Sequence, residues 1–587
     1  MKDFFKMMFA SMLGFFLVCV IIFFILLGLV VAVVSFSTNE VVSISPKTIL
    51  RLELDKPILD RSPKNPILFD LSTMSRQTGL SDIVKNIHKA KEDKNIAGIY
   101  LDISTINAGI STVYEIRNAL LDFKKSGKFV YCFSEDYSQS SYFLATAADK
   151  IYLHPEGSLL LKGINAELYF LKGTLDKLDI KMQVIRHGKF KAATEPFFLD
   201  KMSPENREQI SALIKGVWKN VLQGISETRK ISTERLNQLA DSLSIRSASD
   251  ALTYRLVDKL AYKDEILKDL KGQINIPEKE KITFISNEKY TNVLESAKDR
   301  NEKNNKIAVI YATGSIGSGE GDDQSIGSEG MSSAIRKARE DDHVAAIVLR
   351  VNSPGGDALA SDAIWREIEL SSKSKPVVAS FGDVAASGGY YIACAATKIM
   401  ADPTTITGSI GVFGLVPNMK GLFNNKLGIT FDNEKTNLNS DYIPVTSPLS
   451  PFQTKVLQNE IEHIYATFIS KVAAGRHMKK ESVDSIAQGR VWGATDAKRI
   501  GLVDDFGGLQ AAIDTAARLA NIKDYRIISL PEQKDIFNQI FDELLGDAKS
   551  SYLEKELGED YKYYQYLKQI KEMKGIQARM PFELIIN

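Results

Sequence analysis

The longest apolar segment of the chain lies near its N-terminus. Residues 9–36 form a run of 28 residues without a charged side chain, rich in Phe, Leu, Ile and Val. A helix rises ~1.5 Å per residue, so this run exceeds the ~30 Å hydrocarbon core of a bilayer. A cleavable signal sequence has a shorter apolar region of roughly 7–15 residues. The pattern predicts a transmembrane anchor over 9–36, preceded by a short N-terminal segment, 1–8.

The charges beside this anchor predict its orientation. Lys2 and Lys6 precede the anchor, and the residues just after it carry only Glu40. The positive-inside rule therefore places the N-terminus, 1–8, in the cytoplasm. We expect a single-pass protein of the cytoplasmic (inner) membrane that contacts lipid through 9–36. Its bulk would lie on the periplasmic, extracytoplasmic side.

Beyond the anchor, the pattern of short apolar runs occurs twice. Residues 96–104 (IAGIYLDIS) align with 344–352 (VAAIVLRVN), at an offset of 344 − 96 = 248. Without a gap, 145–151 (ATAADKI) then aligns with 393–399 (ACAATKI). A repeat of this length indicates two related α/β domains in succession.

The repeat also predicts the domain boundaries. The similarity extends from about residue 80 to 265 and from about 328 to 511. The segments that follow from it are an N-terminal α/β repeat over 46–275, a charged connector over 276–306, a C-terminal α/β repeat over 307–540 and a helical extension over 541–587.

Composition excludes several classes of function. A formal net charge of +1, with 25% charged residues, gives no basic bias toward nucleic acid and no sign of disorder. The three cysteines, Cys19, Cys132 and Cys394, are too few for a disulfide framework. Because no C-x-x-C or His/Cys cluster occurs, we expect no metal site.

One stretch has the pattern of a serine nucleophile. A short apolar strand, 376–381, leads into the small-residue turn 382–389, and an apolar helix opens at Tyr390. Ser387 would then lie at a helix N-terminus, where unpaired backbone N–H groups can hold an oxyanion. The alternative is a Gly/Ser-rich turn in which Ser387 only caps the helix.

A second loop contains a glycine pair. The strand 345–351 ends in Asn-Ser-Pro-Gly-Gly-Asp, with Gly355 and Gly356 at its centre. Neighbouring parallel strands would bring this loop and the Ser387 turn to one carboxyl edge, where such sheets bind ligands. A plain β-turn remains the alternative for this motif.

The two repeats differ at these candidate positions. Ser387 aligns with Gln139, and the glycine pair 355–356 has no counterpart in the first repeat. Lys191, in turn, aligns with Ser440 after a one-residue insertion. Complementary loss of this kind predicts one composite site shared by both repeats.

A serine hydroxyl needs a base to remove its proton. A neutral lysine can serve if burial lowers its pKa from the free value of ~10.4. Lys191 lies in an apolar stretch beside Phe190 and is our candidate base. Lys189 and His187 are nearby alternatives.

These features together resemble the signal peptide peptidase A (protease IV) family in its long, two-domain form. The motifs that carry the resemblance are the anchor, the tandem repeat, Ser-Pro-Gly-Gly at 353–356, the segment 383–389 and Thr-Gly-Ser-Ile-Gly at 407–411. It covers the chain from the anchor to about residue 540. It implies a tandem repeat of two Clp-protease/crotonase-like α/β domains behind the transmembrane helix.

The resemblance also implies roles for single residues. Ser387 would be the nucleophile of a Ser-Lys peptidase, Lys191 its base, and Ser409 the side chain that orients the lysine. The N–H groups of Gly388 and of the pair 355–356 resemble the oxyanion donors. Short, single-domain relatives keep their lysine where this chain has Ser440, so neither repeat should hold a complete site.

The implied activity is that of an endopeptidase acting on cleaved signal peptides and other extended apolar peptides at the membrane surface. The chemistry needs no cofactor. Relatives assemble as rings or domes, and we expect a homo-oligomer here, a tetramer.

Two other functions fit parts of the pattern. Acyl-CoA hydratases and hydrolases share the fold and polarise a thioester with paired glycine N–H groups, but their substrate would be lacking outside the cytoplasm. A non-catalytic membrane scaffold is the other possibility. The presence of Ser387, Lys191 and Ser409 with both glycine loops in one chain argues against it.

Overall fold

A computed structural model describes residues 2–37, 43–63, 79–293, 305–533 and 576–580. The apolar N-terminus forms helix α1 (Lys2–Ser37). Its segment Lys6–Ile25 has a mean hydropathy of 2.8 and is not buried against the rest of the protein. Among the described residues, this helix alone is long and apolar enough to cross a membrane.

The first half of the chain is built on a six-stranded parallel sheet. In spatial order its strands are β6 (Lys259–Leu260), β4 (Lys150–Leu159), β3 (Phe129–Tyr137), β2 (Ile96–Asp102), β1 (Thr48–Leu52) and β7 (Phe284–Ser286). The central strands are buried almost throughout, as parallel strands covered on both faces must be.

Helices connect and cover this sheet. They are α2 (Leu80–Glu92), α3 (Ile110–Lys124), α4 (Gln139–Ala145), α5 (Lys172–Lys177), α6 (Glu195–Phe198), α7 (Pro204–Arg229), α8 (Thr233–Asp241), α9 (Ala248–Thr253), α10 (Lys263–Gln273) and α11 (Asn287–Thr291). Ser203 caps α7 through its side chain and Pro204 follows at the first turn, as serine and proline do at helix starts.

The second half repeats the design with an eight-stranded sheet, parallel except for its β15–β17 pair. Its main path is β17 (Val491–Gly493), β15 (Ile406–Gly408), β13 (Val377–Ala386), β11 (Val344–Ser353), β8 (Lys306–Thr313) and β19 (Arg526–Leu530), while β14 (Lys398–Ala401) pairs with β13 and β18 (Asp505–Phe506) with β14. Its helices are α12 (Ser328–Glu340), α13 (Ala358–Ser372), α14 (Gly388–Ala393), α15 (Pro451–Gly475), α16 (Lys480–Ile486), α17 (Ala494–Arg499) and α18 (Leu509–Leu519).

A third sheet joins the two halves. Its order is β10 (Ser325–Gly327), β9 (Ser315–Gly317), β12 (Gly355–Asp357), β20 (Ile576–Arg579), β16 (Phe413–Asn418) and β5 (Lys181–Arg186). The last of these strands comes from the first half and pairs antiparallel with β16 over six residues. This pairing anchors the segment that follows β5, including Lys191, to the second half.

A buried ion cluster also connects the halves. Arg350 on β11 is fully buried, and its Nε lies 2.8 Å from Asp60 Oδ1 and its Nη2 2.6 Å from Glu115 Oε1. Both carboxylates belong to the first half. Buried charges are costly unless they are paired, so this cluster favours one relative placement of the halves.

The structure differs from two of the expected segment types. Within the connector predicted over 276–306, β7 and α11 are part of the first half, with β7 paired to β1. The extension predicted to be helical over 541–587 lies mostly outside the described residues. Within its described part, 576–580, residues 576–579 form a strand rather than a helix, because they pair with the edges of two other strands, 355–357 and 413–418.

Candidate active site

Ser387 lies between β13 and α14, in the predicted order of strand, turn and helix. The turn is shorter than the predicted 382–389, because 382–386 continue the strand and the helix opens at Gly388. It is fully buried, and its backbone has φ 55° and ψ −114°. A positive φ costs a non-glycine residue roughly 1–2 kcal/mol. The Ser387 N–H donates to the Gly408 carbonyl at 2.8 Å, and this bond from β15 helps to hold the turn. Strain of this kind collects at functional sites.

Lys191 reaches the same place from the first half. The segment before it is fixed to the second half by two backbone bonds, from His187 N–H to the Val412 carbonyl and from Phe190 N–H to the Gln488 carbonyl. Gly489, with φ 81°, packs directly on Lys191, since a Cβ at that glycine would lie 2.5 Å from Lys191 Cβ. Only a glycine allows this close approach.

The Lys191 amine has three polar neighbours. Its Nζ lies 2.8 Å from Ser387 Oγ, 3.0 Å from Ser409 Oγ and 3.0 Å from the Ser409 carbonyl oxygen. A neutral amine has two N–H donors and one lone pair, so it can donate twice to Ser409 and accept the Ser387 proton. The three contacts therefore fit the neutral form of a lysine poised as a base.

Burial lowers the pKa of Lys191 well below its usual value. Desolvation of the ammonium form is the cause, and no carboxylate opposes it among the described residues. Ser387 and Ser409 are fully buried as well. Burial without a paired carboxylate in the described part of the chain therefore favours the uncharged lysine that a general base requires.

The candidate oxyanion donors lie next to Ser387. Gly388 opens α14, and Gly355, with φ 97°, approaches it so closely that a Cβ on Gly355 would lie 2.6 Å from Gly388 N. The Gly355 N–H donates to the Ser353 hydroxyl at 3.1 Å, so it is already engaged. Gly356 is buried on β12, beside β9. The structure thus brings Gly388 and Gly355 to the serine, while Gly356 pairs with Ile316 on β9 and with Ala578 on β20.

The alternative bases lie elsewhere. Lys189 is exposed, with its Nζ 5.5 Å from the centre of the Phe190 ring. His187 stacks on Tyr465 and its Nδ1 lies 2.6 Å from Glu462 Oε2. Of the three candidates, Lys191 is the one that contacts Ser387.

The counterpart positions in the repeats hold other residues. Ser440, which aligns with Lys191, is exposed and donates to the Asn437 carbonyl at 2.8 Å. Gln139, which aligns with Ser387, is buried and accepts bonds from the N–H groups of Lys162 and Gly163, each at 3.1 Å. Each half therefore supplies one group of the pair, within a single chain.

Two positioning contacts escaped sequence reasoning. Gln209 on α7 donates to the Phe190 carbonyl at 3.1 Å and accepts from Val491 N–H at 3.0 Å, bridging the halves beside Lys191. Asp383 on β13 accepts bonds from the N–H groups of Ser111 and Thr112, at 2.8 and 3.1 Å. It thereby caps helix α3 of the other half. The sequence signalled Asp383 only through its place in the 383–389 motif, and it gave no signal for Gln209.

Comparison with known families agrees with this architecture. Residues 122–276 and 369–523 each match the model of peptidase family S49, and residues 306–406 match that of Clp protease. The fold and these matches define an α/β peptidase with a Clp protease-like domain in duplicate, which confirms the predicted fold class.

Full-length relatives support the same conclusion. Protease 4 of Salmonella typhi is 37% identical over 519 residues, covering 85% of this chain and 83% of that protein. Protease 4 of Haemophilus influenzae is 34% identical over 510 residues (84% and 83%), and the chloroplastic serine protease SPPA of Arabidopsis thaliana is 34% identical over 511 (85% and 74%). The chain belongs to peptidase family S49, in the long form that the sequence predicted. It is a serine protease.

Proposed function

We propose that this serine protease works through a Ser-Lys dyad made of Ser387 and Lys191, one residue from each half of the chain. The observation that carries the proposal is the 2.8 Å contact between Lys191 Nζ and Ser387 Oγ, with both side chains fully buried. This N···O separation lies within the hydrogen-bond reach that a general base needs, about 2.6–3.2 Å between heavy atoms.

The first step is acylation. Neutral Lys191 takes the proton of the Ser387 hydroxyl while Ser387 Oγ attacks the carbonyl carbon of the peptide. Ser409 orients the amine through its two acceptor oxygens, each 3.0 Å from Nζ. The carbonyl oxygen becomes an oxyanion, which the Gly388 N–H stabilises. Within the glycine pair 355–356, the Gly355 N–H can join it only by leaving the Ser353 hydroxyl, which lies 3.1 Å away.

The second step releases the product. The protonated Lys191 gives its proton to the leaving amine, and the acyl group stays on Ser387 as an ester. The same lysine, neutral again, then takes a proton from a water that attacks this ester. As the bond to Ser387 breaks, the lysine returns that proton to the Ser387 oxygen, which releases the carboxylic acid product and restores the free enzyme. Side chains and water carry the whole cycle.

The proposed substrates are cleaved signal peptides and other extended apolar peptides at the membrane surface. Helix α1 supports this proposal because its length and mean hydropathy of 2.8 suit a membrane anchor. Lys2 and Lys6, before the helix, support an N-terminus in the cytoplasm and protease domains on the periplasmic, extracytoplasmic side. Membrane lipid would contact residues 9–36.

We also propose a homotetramer, built from chains whose first repeat starts at about 46 and extends through α11 and whose second repeat covers about 307–540. The dyad lies within one chain, so assembly would serve access or substrate selection rather than complete the Ser-Lys pair. Light scattering of the detergent-solubilised chain tests the tetramer, and a monomeric mass with full activity would exclude it.

The decisive experiment is active-site labelling. A serine-directed fluorophosphonate is added to the full chain in detergent, and the modified residue is located by mass spectrometry. We expect the label on Ser387 and none in Ser387→Ala. Lys191→Ala should abolish both labelling and peptide hydrolysis while the fold is retained.

Matched variants provide the controls. Lys189→Ala changes an exposed lysine two residues away, and Ser440→Ala changes the residue aligned with Lys191 in the other repeat. Both should retain full activity. A label on another serine, or an active Lys191→Ala variant, would contradict the proposed dyad.

A further inference from the structure

The C-terminal strand β20 lies in the middle of the sheet that joins the halves. It pairs antiparallel with β12 on one side, where Ala578 faces Gly356, and antiparallel with β16 on the other, where Gln577 faces Phe413. The Met580 N–H adds a bond to the Pro354 carbonyl at 2.7 Å. Without β20, β12 and β16 would face each other across a gap the width of one strand.

This gap runs past the Ser-Lys pair. On one side, β12 holds the glycine pair next to Gly388, and on the other, β16 starts soon after Ser409. A Cβ on Gly355 would lie 2.1 Å from the Ala578 carbonyl oxygen, and one on Gly388 would lie 3.1 Å from it. The backbone of β20 therefore lies against the residues proposed to stabilise the oxyanion.

The side chain after β20 occupies an apolar pocket. Met580 is buried in a cluster with Leu213 of the first half and with residues of the second half that include Ala386, which immediately precedes Ser387. The other members of this cluster are Ile406 and Val491, with Val384 packed against it. An extended chain with an apolar side chain at this position can hydrogen-bond to the edges of both β12 and β16 and fill the apolar pocket.

Exposed strand edges bind extended peptides by adding a strand, with backbone bonds for affinity and pockets for selectivity. We infer that residues 576–580 are a built-in competitor, which occupies the groove that a peptide substrate must enter. This inference rests on the proposed Ser387–Lys191 site. Substrate then binds by displacing β20, and the apolar pocket of Met580 is the one a substrate side chain fills.

The extent to which β20 raises the apparent KM for substrate depends on its being tethered to the same chain. A segment attached to its own binding site acts at an effective concentration on the order of mM. If the free segment binds with a Kd of about 0.1 mM, tethering raises the apparent KM about tenfold.

The test compares two deletions of the full, detergent-solubilised chain. Deletion of 576–587 removes β20, and deletion of 581–587 is the control that retains it. We expect the first deletion to lower the KM for a short fluorogenic peptide about tenfold and to speed fluorophosphonate labelling, with the control unchanged. The synthetic peptide Ile-Gln-Ala-Arg-Met should inhibit the shortened enzyme competitively.

A point variant covers the case in which the deletion unfolds the protein. Met580→Asp places a charge in the apolar pocket, so it should lower the KM in the full-length chain in the same direction. If the deletion activates but neither this variant nor the peptide has an effect, occupancy of the groove is not the cause, and the inference is wrong.

A readout without catalysis separates this inference from the proposed dyad. Hydrogen exchange at β12 and β16 should become faster in the deletion of 576–587, because their backbone groups lose their partners. If fluorophosphonate never labels Ser387 but hydrogen exchange at β12 and β16 becomes faster, the proposed dyad is wrong and the placement of β20 between these strands is supported. Equal exchange and equal KM in both deletions would overturn the inference.

Discussion

Replacing Lys191 with methionine tests whether the buried amine is uncharged in the folded protein. In the unfolded chain this lysine binds a proton below pH ~10.4. In the folded chain burial lowers its pKa, so it gives up that proton on folding over the interval between the two pKa values. Folding is then coupled to release of one proton, and the stability contributed by this residue rises with pH.

The magnitude follows from linkage. Within that interval, the free energy of unfolding of the parent should gain about 1.4 kcal/mol per pH unit relative to Lys191→Met. The variant also leaves the hydroxyls of Ser387 and Ser409 without the amine, at a cost of about 1–3 kcal/mol each. That cost shifts the difference by a constant, so the slope against pH is the diagnostic quantity.

Urea unfolding of parent and variant at pH 7, 8 and 9, in one detergent, measures this slope. All other titrating groups are common to both proteins and cancel in the difference. Lys189→Met is the control, because it makes the same substitution at an exposed lysine two residues away. We expect no slope for that variant.

A difference between parent and Lys191→Met that does not change with pH would refute the reasoning. It would mean that the folded protein keeps a protonated lysine at this position. The proposed general base would then be occupied by a proton at the pH of the assay.

Three further predictions follow. Activity should rise with pH as Lys191 loses its proton, with a midpoint well below 10, and a rate that is constant between pH 6 and 10 would contradict this. Gly355→Ala should lower kcat by about 10²–10³-fold, because its Cβ would lie 2.6 Å from Gly388 N and displace that oxyanion donor. Gly319→Ala, whose φ of 87° imposes similar strain in open space, should lose only about 1–2 kcal/mol of stability and no activity. Arg350→Ala leaves two buried carboxylates unpaired, so its urea midpoint should fall by the equivalent of about 3–5 kcal/mol, and a change below 1 kcal/mol would show that water reaches the cluster.

The pairing of Ser387 with Lys191 could be predicted because aligning the two repeats shows which candidate catalytic residue each repeat lacks. A glutamine opposite Ser387 and a serine opposite Lys191 mark what each half lacks. Local pattern predicted the strand-to-helix transition at this serine but not its length, since 382–386 were expected in a turn and instead extend β13, in which 384–386 pair with β15 and Ala385 also pairs with β11.

The contacts that set the geometry of this pair had no such signal. Gln209 lies on a long helix where its bonds to Phe190 and Val491 depend on how the halves dock. The strand at 576–579 is preceded by a charged, tyrosine-rich segment typical of a helix, and its conformation is set by the two edges that it joins. Tertiary pairing overrides local propensity in such short strands.

The two groups proposed for catalysis are more than a hundred residues apart in the chain, and the later one follows a full domain. A ribosome that has completed only the first half has therefore made a lysine without its serine, and a fragment of the second half has a serine without its base. Proteolytic capacity would therefore arise late in synthesis, when β5 pairs with β16.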